Sequence, residues 1–170
     1  MTKTGAVTQL HIVALFYDPN PDGELFLVEH AVDEAAGRRR WGCPSSAERL
    51  NGAGSPEAPQ ATIQRIAKER FGYEMTDADL ARCHHVLDTL DIVHENVCYE
   101  PFIISVDDRT KFVPRQGVVA EWKTFAALAH FAERRYFPEA HLIFLNAANE
   151  SIMTDTADMD EDSEEFSEND

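Results

Sequence analysis

The stretch EAPQATIQRIAKERFGY, residues 57–73, carries an ordered spacing of charged and glycine positions: Glu57, then Arg65, Glu69, Gly72 and Tyr73. Ile63, Ile66, Ala67 and Phe71 recur at helical intervals while Gln64, Arg65, Lys68 and Glu69 are polar. The segment is therefore predicted to form an amphipathic helix with one face on a core. On these residues alone, an ordinary surface helix accounts for the pattern as well as a specialised motif does.

Read as E-x7-R-x3-E-x2-G-Y, the stretch resembles the signature of the Nudix hydrolases, G-x5-E-x7-R-E-U-x-E-E-x-G-U, where U is a bulky aliphatic residue. Glu57, Arg65, Glu69 and Gly72 match it. Ile66 stands in place of the glutamate after the arginine, Arg70 in place of the second glutamate of the pair, and Asn51 in place of the opening glycine. Two of the three carboxylates that the resemblance implies for a metal are thus replaced.

Side chains four apart share a helix face. Carboxylates at positions 66, 69 and 70 would converge on one edge, a donor set suited to magnesium, which takes oxygen ligands at about 2.0–2.1 Å and is held by one or two carboxylates plus substrate phosphates. Glu69 is the one carboxylate of that set here. Arg70 brings a positive charge to the same place, which disfavours a cation and could hold a phosphate directly.

The flanking segments follow the family's order. His11–Asp18, a turn over Pro19–Gly23 and Glu24–His30 are predicted to form a hairpin. Trp41-Gly42-Cys43-Pro44-Ser45-Ser46 resembles the family's loop before the box, with serines in place of two glycines. Serine resists the backbone conformations that glycine reaches, so a reshaped loop is expected. Residues 47–56 (AERLNGAGSP) are longer than the compact pattern and, with Gly52, Gly54 and Pro56, read as a flexible insertion. Cys83–Ile92 and Val97–Val106 read as strands around a polar turn at His94, Glu95 and Asn96. Glu121-Trp122 followed by Lys123–Phe131 resembles the family's late segment, in which an acidic residue and a tryptophan precede a short helix. A last helix is expected over Pro138–Ala148, with Leu142, Ile143 and Leu145 as its apolar face.

The 170 residues, 44% of them hydrophobic, fit one domain with a real core. The longest apolar runs are strand-length, short of the roughly 18 residues of a membrane span, and the first residues lack the apolar region of a secretory signal. Three separated cysteines, Cys43, Cys83 and Cys98, form no C-x-x-C pair, which points to a reducing cytoplasm. Cys43 reads as a packing residue rather than a nucleophile.

Net charge is −16 and unevenly spread: residues 151–170 hold nine Asp or Glu and no Lys or Arg, leaving −7 on residues 1–150. Residues 151–170 are accordingly read as a disordered acidic tail that solubilises the chain or engages a basic protein partner. Such a balance speaks against nucleic-acid binding, which needs a basic surface. The one dense basic run, Arg38-Arg39-Arg40, is placed in a loop beside the site, where it could engage substrate phosphates or simply be solvated. His84 and His85 are neighbours on a predicted strand, point to opposite faces and do not share a metal.

These readings converge on an α/β fold of the α+β type. The resemblance implies a single Nudix-like domain over residues 1–150, a mixed β-sheet sandwiched between helices, with the acidic tail behind it. Two functions follow from the resemblance. One is a domain with a degenerate metal site that binds a nucleotide, another phosphate-bearing ligand or a protein. The other is a divergent hydrolase of nucleoside diphosphates linked to another moiety, using Mg2+ or Mn2+. In the second, Glu69 binds the metal, Arg65 orients the glutamates of the box, Glu57 braces the loop and Glu95 activates water, with Glu48 or Glu121 as replacement ligands. Arg38, Arg39, Arg40 and Arg70 are the candidate phosphate-binding residues in either.

Overall fold

A computed structural model describes residues 9–19, 25–33, 38–50, 52–86, 92–94, 97–133, 141–150 and 152. In chain order these form β1 (Gln9–Asp18), β2 (Leu25–Asp33), β3 (Arg38–Gly42), β4 (Ser45–Ala47), α1 (Pro59–Phe71), α2 (Asp77–Ala81), β5 (Cys83–His85), β6 (Ile92–His94), β7 (Val97–Ser105), a 3-10 turn at Arg109–Lys111, β8 (Ala120–Thr124) and α3 (Phe125–Glu133). A further helix, α4, covers residues 141–150.

The strands make one mixed eight-stranded sheet, with β3-β2-β1-β7-β5 as its main order. β1 and β7 run parallel in continuous register from Gln9↔Val97 to Tyr17↔Ser105. The other pairings are antiparallel, β4 on β1, β6 on β7 and β8 on β2 among them.

Alternation along β1 explains the layers. Ile12, Ala14 and Phe16 join Ile63, Ile66, Ala67 and Phe71 of α1 in one apolar cluster. Val13 and Leu15 join Leu128 of α3 and Phe144, Leu145 and Ala148 of α4 in another. Because successive strand residues point to opposite faces, one apolar strand serves both layers, as a strand covered on each side must. The helices therefore sandwich the sheet, with α1 on the face that carries the candidate site.

Several local expectations are corrected. The basic run lies in β3 rather than in a loop. β2 extends to Asp33, and its second half needs a pairing partner, which β3 supplies by setting Arg38 opposite Asp33 and Trp41 opposite His30. Residues 83–92 are not one strand, since β5 ends at His85 and β6 begins at Ile92, with residues 87–91 outside the described ones. The insertion is closed at its base, where Leu50 bridges Pro56 and the Glu57 amide donates to the Arg49 carbonyl at 2.8 Å. In α4 the apolar face is Phe144, Leu145 and Ala148, whereas Ile143 is 46% exposed, because the helical interval selects 144, 145 and 148. Ile152 is buried in the same cluster. Glu95, Asn96 and residues 153–170 lie outside the described residues.

Candidate functional site

Glu57 and Arg65 are brought together where the chain enters α1. Glu57 Oε1 accepts from the Arg49 amide at 3.1 Å, from Thr62 Oγ1 at 2.9 Å and from Arg65 Nη2. Arg65 also donates through Nη1 to Ser46 Oγ at 3.0 Å and through Nη2 to the Ala47 carbonyl at 3.0 Å. One guanidinium thus ties helix, strand β4 and the end of the insertion, which its planar fork of donors allows and a lysine would not. Burial acts to raise the Glu57 carboxyl, but the hydrogen bonds from Arg65, Thr62 and Arg49 outweigh it and hold it below the ordinary value.

The three helix positions of the expected metal cluster do not converge. Ile66 is 1% exposed and packed in the core, so position 66 faces the sheet. Glu69 points to solvent, its carboxylate 3.5 Å from Arg49, with both side chains more than half exposed. Arg70 turns inward, donating to Glu29 of β2 through Nη1 and to the Ser45 carbonyl through Nη2 at 2.6 Å. Burial pushes the Glu29 carboxyl above its ordinary value, and the Arg70 charge pulls it the other way.

The helix end is well fixed. Gly72 adopts φ 64°, a left-handed conformation that favours glycine, and its amide closes onto the Lys68 carbonyl at 3.2 Å. Tyr73 then stacks on Phe112 with ring centroids 4.5 Å apart and donates its hydroxyl to Asp79 at 2.7 Å. Burial and that carboxylate push the Tyr73 hydroxyl up to about 12. Asp79 also completes a capping box with Thr76 at the start of α2.

The remaining candidates are dispersed. Arg39 is exposed and Arg40 half-buried on β3. Arg38 opens that strand opposite Asp33. Glu48 is half-buried, its amide donating to the Leu10 carbonyl at 3.1 Å. Glu121 is paired with Lys123 at 2.6 Å. Glu95 is outside the described residues. Cys43 is buried, and burial together with the Glu29 charge pushes its thiol far above the ordinary value, so it is held as the neutral thiol.

Two residues of this region escaped the sequence reading. Glu29 was signalled by its strand: Leu27 faces α1, so Glu29, two residues on, extends that apolar row with an acid. His141 carried no local signal. Its Nδ1 accepts the Cys43 amide at 3.0 Å across 98 residues, and burial, with the charges of Arg40 and His11, lowers its imidazole to about 4.

Magnesium or manganese does not fit the donors gathered here. Among the described residues, no three His, Cys, Asp or Glu side chains come together as they do around a metal ion. Glu69 faces a guanidinium on its exposed side, while the neighbouring helix position is itself an arginine engaged with a carboxylate. A hard cation needs several oxygens and no fixed positive charge among them.

No family model and no curated protein sequence matches the chain. Its three-dimensional arrangement has clear relatives. The Nudix domain of Shewanella oneidensis NrtR, solved with ADP-ribose, is similar at TM-score 0.61 and 12% identity over 84% of this chain and 87% of that one. The C-terminal domain of mouse MUTYH, solved in complex with human PCNA, gives 0.59 and 14% over 84% and 88%. A Nudix hydrolase of Mycobacterium smegmatis, RenU, gives 0.53 and 15% over 86% and 84%. The protein is therefore a Nudix-like domain in its fold. Among the described residues no helix is long and apolar enough to cross a membrane.

Proposed function

We propose that this chain is a Nudix-type domain whose metal site is degenerate and which binds a nucleotide, another phosphate-bearing ligand or a protein partner rather than hydrolysing a phosphoanhydride. The observation that carries the reading is the disposition of α1. Ile66 is in the core, Arg70 is committed inward and Glu69 alone faces solvent. The matching residues Glu57 and Arg65 serve to hold loop to helix. Fold similarity leaves function open, because unrelated activities share one fold, so the reading rests on these side chains.

Exposed arginines are the means of meeting a phosphate. Arg39 and Arg115 are exposed, and neither has an acidic partner among the described residues. The ADP-ribose held by the NrtR domain and the PCNA contact of the MUTYH domain support the two kinds of partner named. We place the protein in a reducing cytoplasm and assign the acidic residues after 152 to solubility or to a basic protein partner.

Thermal unfolding against a panel of nucleoside diphosphate derivatives, in EDTA and again with Mg2+, tests the ligand. A rise in Tm in EDTA is expected for at least one member. A rise seen only with Mg2+ would instead favour the divergent metal-dependent hydrolase.

A further inference from the structure

Arg70 reaches two oxygens that belong to separate elements, the Glu29 carboxylate on β2 and the Ser45 carbonyl at the start of β4. Both are hard oxygen donors, a carboxylate and a backbone carbonyl, of the kind that hold magnesium, manganese or calcium. The Glu29 side chain is 12% exposed, and among the described residues Arg70 is its one ion-pair partner. A carboxylate so enclosed stays ionised only with a cation near it, since an unpaired buried charge is strongly disfavoured.

The helix end that carries Arg70 is held from behind through its backbone. The Arg70 carbonyl accepts the Arg115 amide at 2.9 Å, and the next carbonyl, that of Phe71, accepts the Val113 amide at 2.9 Å. The helix end that carries Arg70 is thereby fixed against the chain that leads into β8, whose Ala120 lies opposite Glu29. Arg70, Glu29 and Ser45 sit on a helix and two strands, α1, β2 and β4.

We propose that the Arg70 guanidinium is a built-in cation, occupying an oxygen-lined position between Glu29 and the Ser45 carbonyl that would otherwise admit a divalent metal ion. The positive charge that a metal would bring from solution is carried by the chain, and the junction of α1, β2 and β4 is completed without one. The inference does not depend on which ligand the domain binds, and its test uses no nucleotide.

The test compares thermal unfolding of the full chain and of Arg70→Ala in EDTA and in millimolar Mn2+. The wild type is expected to have the same Tm in both. Arg70→Ala is expected to melt lower in EDTA and to regain at least half of the lost Tm in Mn2+, and Glu29→Gln added to Arg70→Ala is expected to abolish the regain. Three results would overturn the proposal: a Mn2+-induced rise in the wild type, an Arg70→Ala protein indifferent to Mn2+, or recovery that persists without the Glu29 carboxylate. If Arg70→Ala is insoluble as purified, its refolding yield with and without Mn2+ decides the matter, equal yields counting against the proposal.

Discussion

Arg65 and Glu57, eight residues apart, meet through Nη2 and Oε1 at the entrance to α1, and the same guanidinium holds Ser46 and Ala47 of β4. This pair builds the scaffold of the site, since each of its other bonds runs to loop or strand backbone or to a small hydroxyl. With the Arg65 side chain 13% and the Glu57 side chain 17% exposed, removing one partner strands the other. Arg65→Ala is expected to cost about 2–4 kcal/mol in urea unfolding. Arg65→Lys should recover little of it, because a point charge cannot replace three directed bonds.

Ile66 sets a limit on repairing the box. Restoring a glutamate at this position puts a carboxylate into the α1 face of the core, where Ile66 is 1% exposed. Ile66→Glu is expected to destabilise by about 3–5 kcal/mol, or to prevent folding, whereas Ile66→Val should cost about 1 kcal/mol. Equal midpoints for the two variants in chemical denaturation would show that position 66 reaches solvent.

How much of this was legible beforehand depends on the range of the interaction. The hairpin and α1 follow from local periodicity and turn residues, and the helix after Trp122 from the resemblance of Glu121-Trp122 to the family's late segment; β1 pairs antiparallel with β2, α1 covers Pro59–Phe71 and α3 begins at Phe125. The pairing of Arg70 with Glu29 spans 41 residues and that of His141 with Cys43 spans 98, and periodicity carries no information on such partners. The arginine run misled for a related reason. Three consecutive cations look like a solvated loop, yet a strand with one face outward accommodates them once β2 is long enough to pair with it.

Gly72 ends α1 at φ 64°, and a Cβ there would meet nothing nearer than Arg115 Nε at 3.7 Å. Space is thus adequate and backbone strain alone remains. Gly72→Ala should cost about 1–2 kcal/mol, while Gly72→Asn, which tolerates the left-handed region, should cost less. Thermal unfolding of the two variants side by side checks the order.

The buried His141 makes stability depend on acidity. Its folded value of about 4 lies below the ordinary 6.5, so the unfolded chain binds the extra proton between these values. Stability from this group is complete above pH 6.5 and is lost as pH falls toward 4, by up to about 3 kcal/mol. Glu29 works in the opposite sense, since its raised carboxyl takes up a proton sooner in the folded state. His141→Gln retains an acceptor for the Cys43 amide, and its stability should fall less than that of the wild type between pH 6.5 and 4 in urea titrations at each pH.

The most direct measurement is turnover of nucleoside diphosphate derivatives by the purified chain in Mg2+ or Mn2+, run beside Glu69→Gln. A domain that binds without cleaving gives no turnover in the wild type beyond that of the variant across the panel. Metal-dependent hydrolysis that disappears in Glu69→Gln would contradict the account, because it would mean that a carboxylate set outside the described arrangement completes the site around Glu69.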